Sequence, residues 1–192
     1  MDDDILLIQQ HLKGDPQAFK ILVNKYKDRI HNLIYSITGD RENVEDLAQD
    51  VFMKTFISIE KLKNNSQFYP WLYRVTVNLC IDELRKKKIR RFLSLQDLPE
   101  WFQDRILAPW RDKEPSQEIS STRQELSDII QWGMNKLSPK HRIVITLRHI
   151  EELSYEEMAK VLSCSTGTVK SRLFRARRAL AKIIEPFLER EE

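Results

Sequence analysis

The sequence predicts an all-α protein built from two small helical domains joined by a linker. Only four glycines occur in 192 residues and 32% of the residues are charged, whereas sheet proteins need many turns and β-branched strands. Apolar residues recur mainly at intervals of three and four, the spacing of one helix face, and alternating apolar and polar runs are almost absent. A hydrophobic fraction of 41% is enough for modest cores.

The first predicted domain spans residues 1–92 and begins with two amphipathic helices. Asp15-Pro16 starts the first helix, because aspartate caps an N-terminus and proline suits the first helical position. Thr38-Gly39-Asp40 breaks it, and a second helix runs from Val44 to about Ile59. The polar face of this second helix carries Glu45, Asp46, Gln49 and Asp50.

A loop at residues 61–66 and a third long helix ending in the basic run 85–91 complete this domain. A basic helix end alone is usually only solvated, but the aromatic residues before it offer surfaces on which an unstacked base could rest. Trp71 is expected to belong to the core rather than to that surface. The predicted DNA contacts are a base-capturing loop, Asn64, Asn65 and Ser66, and on the helix Phe68, Arg74, Asn78, Arg85, Lys86, Lys87 and Lys88.

Residues 93–122 are predicted to form the linker. The helical periodicity fails there, and three prolines occur. The net charge of this segment is −3, whereas residues 1–92 and residues 123–192 each carry +3. Because the positive charge falls in two separate clusters, the sequence indicates two contacts with a polyanion.

The second predicted domain, residues 123–192, ends in a helix-turn-helix. Ser138-Pro139 starts one of its helices, and Ser154-Tyr155-Glu156-Glu157 matches a capping box. A turn at residues 163–165 then introduces a last helix with an apolar stripe and a basic side, which could also be no more than a solvated surface. In the helix-turn-helix plan such a helix enters the major groove, where arginine can bond a guanine edge with two donors. The candidate contacts are Thr168, Lys170, Ser171, Arg172 and Arg175.

Several classes of protein are disfavoured by simple counts. The acidic start Met1-Asp2-Asp3-Asp4 is unlike a signal peptide, and no apolar run approaches the length that spans a bilayer. Cys80 and Cys164 are far apart and lack further cysteine or histidine at ligand spacing, which suggests neither a disulfide framework nor a metal site. A soluble protein of the reducing cytoplasm, with no cofactor, is therefore expected.

Motifs in both domains resemble one known family. Residues 43–52, residues 71–75, and Asn78 with Ile81-Asp82 and Arg85 are similar to sigma region two. The sequences that resemble sigma region four of the extracytoplasmic-function group are residues 137–139, 154–159, 167–173 and 175–177. The region-two motifs come first and the region-four motifs second, with a short linker and no third domain between them. This combination is a strong indication of the family. The resemblance covers about residues 15–90 and 125–184.

The resemblance implies a division of labour. In the family, the helix that here carries Glu45, Asp46, Gln49 and Asp50 docks on the clamp helices of the β′ subunit of core RNA polymerase. The loop and helix after it capture and melt the −10 element of promoter DNA, and the last helix reads the −35 element. The second domain also touches the β flap, and the linker passes near the RNA exit path. An anti-sigma factor, often anchored in the membrane, usually holds such proteins inactive.

The turn of the helix-turn-helix departs from the family pattern. The family usually has glycine there, whereas this chain has Ser163-Cys164. A left-handed conformation at a residue other than glycine costs about 1 kcal/mol. The sequence therefore predicts a slightly altered turn without loss of the motif.

The main alternative is a self-sufficient helix-turn-helix repressor or activator, with residues 1–90 as a dimerisation or sensor domain. It accounts for the C-terminal half equally well, but it leaves the first basic run and the acidic helix face unexplained, and no long heptad seam is present. An enzyme such as a DNA recombinase is disfavoured, because the carboxylates lie beside no arranged base and the four histidines form no ligand set. A non-enzymatic transcription factor is expected.

Overall fold

The computed structural model describes residues 2–62, 68–96 and 123–188, and every regular element in these ranges is helical. The prediction of an all-α fold is confirmed. The helices are α1 (Asp2–Leu12), α2 (Pro16–Thr38), α3 (Val44–Ser58), α4 (Phe68–Gln96), α5 (Arg123–Lys136), α6 (Pro139–Ile145), α7 (Tyr155–Leu162) and α8 (Thr166–Leu188). A 3₁₀ turn, Ile59–Lys61, follows α3, and a π-helical turn, Thr146–Ile150, follows α6.

Helix α2 is the centre of the first half, and α1, α3 and α4 pack around it. The Asp15 side chain caps it by accepting from the Gln17 N–H at 2.8 Å, with Pro16 as the first helical residue. Gly39 ends it in the left-handed conformation, at φ +69°, as glycine readily does. Its buried side is made of Ala18, Leu22, Tyr26, Ile30, Leu33, Ile34 and Ile37.

Helix α1 was not expected from the sequence, whose acidic N-terminus indicated only the absence of a signal peptide. Ile8 of this helix is fully buried. The carboxylate of Asp4 is also buried, and it accepts hydrogen bonds from the Tyr26 hydroxyl and the Lys25 ammonium, both at 2.6 Å. Because a buried carboxylate needs such partners, this cluster attaches α1 firmly to α2.

Helix α4 continues past the basic run, so residues 93–96, assigned to the linker, are helical. The rest of the expected linker, residues 97–122, lies outside the described residues. Pro70 stands in the first turn of α4, where its missing N–H is tolerated. The helix packs on α2 and α3, and its residues Leu72, Tyr73, Val77 and Cys80 are buried.

The Cys80 thiol is expected to be unreactive in the folded protein. Burial raises its pKa to about 12, so almost no thiolate is present at neutral pH. In a titration with a chromogenic disulfide reagent, one thiol, the partly exposed Cys164, should react quickly, and the second only after denaturation. Equal reaction rates for both thiols in the native protein would show that Cys80 is not enclosed in the core.

The second half contains the expected helix-turn-helix. Ser154 and Glu157 form the predicted capping box of α7: the Glu157 N–H donates to the Ser154 hydroxyl at 3.2 Å, and the Glu157 carboxylate accepts from the Ser154 N–H at 2.8 Å. Ser163 ends α7 in the left-handed conformation, at φ +50°, so the altered turn retains the geometry that glycine would give. Helix α8 then packs on α6 and α7. Its buried residues are Val169, Leu173 and Ala176.

The two halves are in direct contact, which the sequence did not indicate. Helix α4 packs on α7, α2 packs on α6, and the buried apolar residues of both halves form one continuous cluster. The Tyr73 hydroxyl donates to the Glu151 carboxylate at 2.5 Å, and the Arg142 guanidinium donates to the Ile37 carbonyl at 3.1 Å. The bond from Arg142 satisfies a carbonyl at the C-terminus of α2, where helices lack internal donors.

Candidate nucleic-acid and polymerase interfaces

The start of α8 is held by its own side chains. The Ser165 hydroxyl accepts from the Thr168 N–H at 3.2 Å and lies 2.9 Å from the Thr168 hydroxyl, which caps the exposed N–H groups of the helix. The Ser171 hydroxyl donates to the Thr168 carbonyl at 3.0 Å. Thr168 and Ser171 are therefore already engaged in shaping the first turn of α8.

The arginines of this helix are the side chains most available to a ligand. Arg172 and Arg175 are exposed one turn apart. The Lys170 ammonium lies over the ring of Tyr155, 5.5 Å from its centroid, and the Arg172 guanidinium approaches the sulfur of Cys164 at 3.8 Å. All five predicted contacts thus lie within the first three turns of one helix, and two of them, Arg172 and Arg175, are exposed arginines.

Arg177 differs from the other bases of α8. Its guanidinium is bonded to the His149 ring, with Nε and Nη2 at 3.1 and 3.0 Å from Nε2 of the histidine. Burial and the neighbouring arginines Arg177 and Arg148 lower the pKa of His149, which leaves the ring neutral and able to accept these bonds. Arg177 is therefore exposed like Arg172, but its guanidinium is bonded to the π-helical turn.

A second polar surface follows one side of α4. Arg74, Asn78, Arg85 and Lys88 recur at spacings of three, four and seven, which places them in one stripe along the helix, here called the α4 stripe. Asn78, Arg85 and Lys88 are exposed, and Arg74 is half-buried. Arg85 also pairs with Asp82 across one turn, at 3.4 Å. The structure thus brings four of the seven predicted helix residues onto a common face.

Lys87 does not belong to that face. It forms an ion pair with Asp40 of the α2–α3 connection, and burial lowers its pKa. The helical spacing places Lys87 on the side of α4 opposite the α4 stripe. Its neighbour Lys86 is exposed. The basic run is therefore divided, with Lys87 directed into the protein.

Alanine at Lys86 and Lys88 is expected to weaken DNA binding alike for all sequences, because lysines on phosphates carry no base information. The slope of log affinity against log salt should fall by about one for each lost phosphate contact. Fluorescence anisotropy over a salt series measures this. Lys87→Ala is the matched control and should leave the slope unchanged. If the slope fell equally in Lys87→Ala, the conclusion that Lys87 lies apart from the DNA-binding lysines would be wrong.

The aromatic residues at the start of α4 are mostly internal. Phe68 is only 2% exposed and packs on Tyr26, with ring centroids 5.6 Å apart, so its ring is not presented to solvent as a stacking surface. Tyr69 and Trp71 are half-buried, and for Trp71 this is close to the expected core position. Asn64, Asn65 and Ser66 lie outside the described residues. Among the described aromatic residues at the start of α4, the half-buried rings of Tyr69 and Trp71 are therefore the better candidates for stacking.

The polar face of α3 is fully accessible. Glu45, Asp46, Gln49 and Asp50 are all exposed, and His31 of α2 lies 3.5 Å from the Glu45 carboxylate. Beside them is an apolar groove between α2 and α3, lined by Phe19, Val23, Phe52, Met53 and Phe56.

The groove was missed in the sequence, although a signal was present. Met53 and Phe56 do not belong to the buried stripe of α3, and they are 55% and 53% exposed. Large apolar side chains gathered on a surface indicate a protein partner. The α3 surface thus combines a polar edge with an apolar groove.

Two family profiles match the two halves of the chain. The profile described as Sigma-70 region 2 matches residues 22–90, and the profile described as Sigma-70, region 4 matches residues 128–180. The first contains α3 and the α4 stripe, and the second contains the helix-turn-helix. This chain is a sigma factor of the sigma-70 family. The resemblance stated from the motifs is thereby confirmed.

Curated relatives place the sigma factor in the extracytoplasmic-function (ECF) group. It is 38% identical over 183 residues to the ECF RNA polymerase sigma factor SigW of Bacillus subtilis, covering 91% of this chain and 93% of that protein. It is 34% identical over 190 residues to the ECF RNA polymerase sigma-E factor of Escherichia coli K12, covering 97% of each. Matches over nearly the whole length include both halves and the segment between them.

Solved structures agree with the fold. CnrH in complex with the cytosolic domain of CnrY matches with a TM-score of 0.66 at 24% identity, over 96% of this chain and 99% of that one. The sigma factor RpoE in complex with the anti-sigma factor NepR from Bartonella quintana matches with a TM-score of 0.64 at 25% identity, over 91% of this chain and 98% of that one.

In the part of this sigma factor that the structure describes, no helix has the length and apolar character needed to cross a bilayer.

The sigma factor directs promoter-specific transcription initiation by RNA polymerase, through recognition of the −35 and −10 elements and promoter melting. This function is supported over the alternative of a self-sufficient repressor or activator. Sigma factors are initiation factors rather than catalysts.

Proposed function

We propose that the three surfaces divide the work of initiation among them. Residues 123–192 read the −35 element with Arg172 and Arg175 of α8, supported by Thr168, Lys170 and Ser171. Residues 1–92 bind core polymerase through α3 and contact the −10 element through the α4 stripe and the loop 64–66. The observation that carries this assignment is the presence of two exposed basic surfaces, on α4 and α8, separate from the acidic and apolar surface of α3.

The α3 surface suits a helical partner. Its groove is apolar along the centre and bordered by carboxylates, a combination that accepts an amphipathic helix with basic edges. We assign this surface to the β′ clamp helices, with Glu45, Asp46, Gln49 and Asp50 at its polar edge. Phe56 and Met53 join that assignment, because exposed aromatic and methionine side chains carry much of the binding energy in protein interfaces.

Alanine substitution of Asp46 and Gln49 together is expected to lower affinity for core polymerase at least tenfold, and Phe56→Ala to do the same. Interface residues of this kind contribute on the order of 1–2 kcal/mol each. Binding of labelled protein to core polymerase measures the loss. Thermal unfolding of the Asp46→Ala, Gln49→Ala double variant should be unchanged, because both side chains are exposed.

Glu60→Ala provides the matched control for this test. Glu60 is an exposed carboxylate in the 3₁₀ turn beyond α3, so its substitution removes the same charge away from the groove. Full polymerase affinity in the Asp46→Ala, Gln49→Ala double variant would refute the assignment of the α3 surface.

An anti-sigma factor is the second proposed protein partner. The similar RpoE structure contains its anti-sigma factor, and the family resemblance implies a regulator that is often anchored in the membrane. The β flap is the proposed polymerase contact of residues 123–192. Since core polymerase and promoter DNA are both found in the cytoplasm, this is where the sigma factor is proposed to act.

A further inference from the structure

Helix α1 contacts the edge of the α3 groove through His11. Asp4, Ile8 and His11 recur at spacings of four and three, which places them on one face of α1. Asp4 is hydrogen-bonded to α2, and Ile8 is fully buried. His11 is half-buried in the last turn of the helix. The face of α1 that carries His11 is therefore fixed on α2.

The main chain at the end of α1 also holds His11 in place. The His11 carbonyl accepts from the Gly14 N–H at 2.9 Å, and the Gln10 carbonyl accepts from the Asp15 N–H at 3.1 Å. Gly14 has a φ of +99°, a conformation that glycine adopts without strain. The turn between the helices thus gives His11 a defined position relative to Phe19 in the first turn of α2.

The imidazole ring of His11 contacts two phenyl rings that line the groove. Its centroid lies 5.1 Å from that of Phe19 in α2 and 5.0 Å from that of Phe56 in α3. The two phenyl rings are 5.1 Å apart in an edge-to-face arrangement, with an interplanar angle of 82°. Aromatic rings attract each other at centroid distances of about 4.5–7 Å. Three helices therefore meet in one cluster of three rings.

Phe56 is the ring whose orientation depends most on this cluster. Its side chain is more than half exposed, so without aromatic neighbours it could exchange between rotamers. A side chain that becomes immobilised only on binding weakens the complex, whereas one that is already held in its bound orientation does not. The residues that line the groove come from α2 and α3, and His11 contacts two of them from α1. This geometry suits a residue that orients Phe56 for a partner.

We propose that His11 is a positioning residue for polymerase binding, which acts by holding the Phe56 ring in the orientation that the partner helix meets. The proposal rests on the assignment of the α3 surface to core polymerase. It adds α1 to the elements that build this surface. Because the contacts of His11 in the cluster are with aromatic rings, an aromatic residue at this position is sufficient for the role.

Binding of labelled full-length sigma factor to core polymerase tests this proposal. His11→Ala removes the ring and should lower the affinity about three- to tenfold, the loss expected when one side chain has to be immobilised on binding. His11→Phe restores a ring and should bind as wild type does. Gln10→Ala is the matched control, because it shortens the adjacent, exposed side chain, and it should also bind normally.

His11→Gln is the second variant without a ring, and it carries the test if circular dichroism shows that His11→Ala is unfolded. It should lose the same affinity as expected for His11→Ala. A role limited to holding α1 on the protein would lower the melting temperature of these variants and leave their polymerase affinity unchanged. Full affinity in a folded variant without the ring, or no recovery in His11→Phe, would therefore overturn the proposal.

A double-mutant cycle shows whether His11 acts through Phe56. In the Phe56→Ala background, the further loss caused by His11→Ala should be less than about twofold, because the ring that His11 holds is already absent. If His11→Ala caused the same loss with and without the Phe56 ring, the two residues would act independently and the proposed positioning role would be wrong.

Failure of the α3 assignment is distinguishable from failure of this proposal. If Phe56→Ala and the Asp46→Ala, Gln49→Ala double variant all kept full affinity, the α3 surface would not be the polymerase site and both proposals would fail. If these variants lost affinity and His11→Ala did not, the α3 assignment would stand and only the role of His11 would be refuted.

Discussion

Sigma factor in which Arg172 and Arg175 are both replaced by alanine is expected to lose promoter-specific transcription. Both guanidinium groups are exposed early in α8, a helix whose first turn is fixed by Ser165 and Thr168. A bidentate arginine contact with guanine contributes about 1–3 kcal/mol, so the double variant should lose on the order of 30-fold to 10⁴-fold in promoter occupancy. Abortive transcription from a mapped promoter, with reconstituted holoenzyme, measures the loss.

Arg177→Ala is the control for this prediction. It removes one positive charge from the same helix, but from a guanidinium that is bonded to His149. Its effect should be much smaller than that of Arg175→Ala alone. Polymerase affinity should be normal in all variants, and full promoter activity of the Arg172→Ala, Arg175→Ala double variant would disprove the assignment of α8.

Alanine at both Arg74 and Asn78 is expected to block strand opening while leaving upstream recognition intact. The sequence contains no nucleotide-hydrolysis motif, so opening has to be driven by binding energy. Unstacking a base costs a few kcal/mol, which contacts from the α4 stripe and from the loop 64–66 must offset. Arg74 and Asn78 lie on the N-terminal part of the stripe. Losing two contacts of about 1–3 kcal/mol each should reduce open complexes at least tenfold.

Permanganate reactivity of thymines at the −10 element of a cognate promoter measures the opening. Lys87→Ala should keep normal reactivity, because Lys87 is paired with Asp40 away from the stripe. Asn65→Ala should instead change which base is preferred. Normal reactivity in the Arg74→Ala, Asn78→Ala variant, or an unchanged base preference in the loop variant, would contradict this mechanism of opening.

Features governed by local chemistry could be predicted from the sequence. Asp15 with Pro16, Gly39, and the pair Ser154 and Glu157 define helix ends within a few residues of themselves, and the structure has each of them where the sequence indicated. The capping residues satisfy backbone groups of their own helix, so no distant partner is needed. The periodic apolar faces of α2 and α8 could be predicted for the same reason, because each pattern depends only on residues of its own helix.

Features that depend on distant partners could not be predicted. In the sequence Asp4 is simply one of three consecutive aspartates, because its partner Tyr26 is 22 residues away. Lys87 looked equivalent to its neighbours until Asp40, 47 positions earlier, was found beside it. The contact between Tyr73 and Glu151 spans 78 positions. Two domains with a linker between them gave no reason to expect that pairing, because each domain can complete its own core.

The α3 groove was missed for another reason. Exposed apolar residues on a helix are common without a function, so Met53 and Phe56 carry no signal in the sequence by themselves. Only the structure shows that Met53 and Phe56 adjoin Phe19 of α2 in a single groove. Met53 and Phe56 are candidates for a protein interface because of the side chains around them, and their residue types alone would not indicate this.

The corner between α2 and α3, residues 37–40, determines whether the protein can accept inserted residues between these helices. There the Ile37 carbonyl accepts from Arg142, and Gly39 holds a positive φ beside the Asn135 side chain. Asp40 accepts from the Asn43 side-chain amide just before α3 and also binds Lys87. Short interhelical connections on a surface are ordinarily where inserted residues do least harm. In an insertion-scanning library this corner should behave as a forbidden site, because one added residue would misalign three neighbouring helices at once.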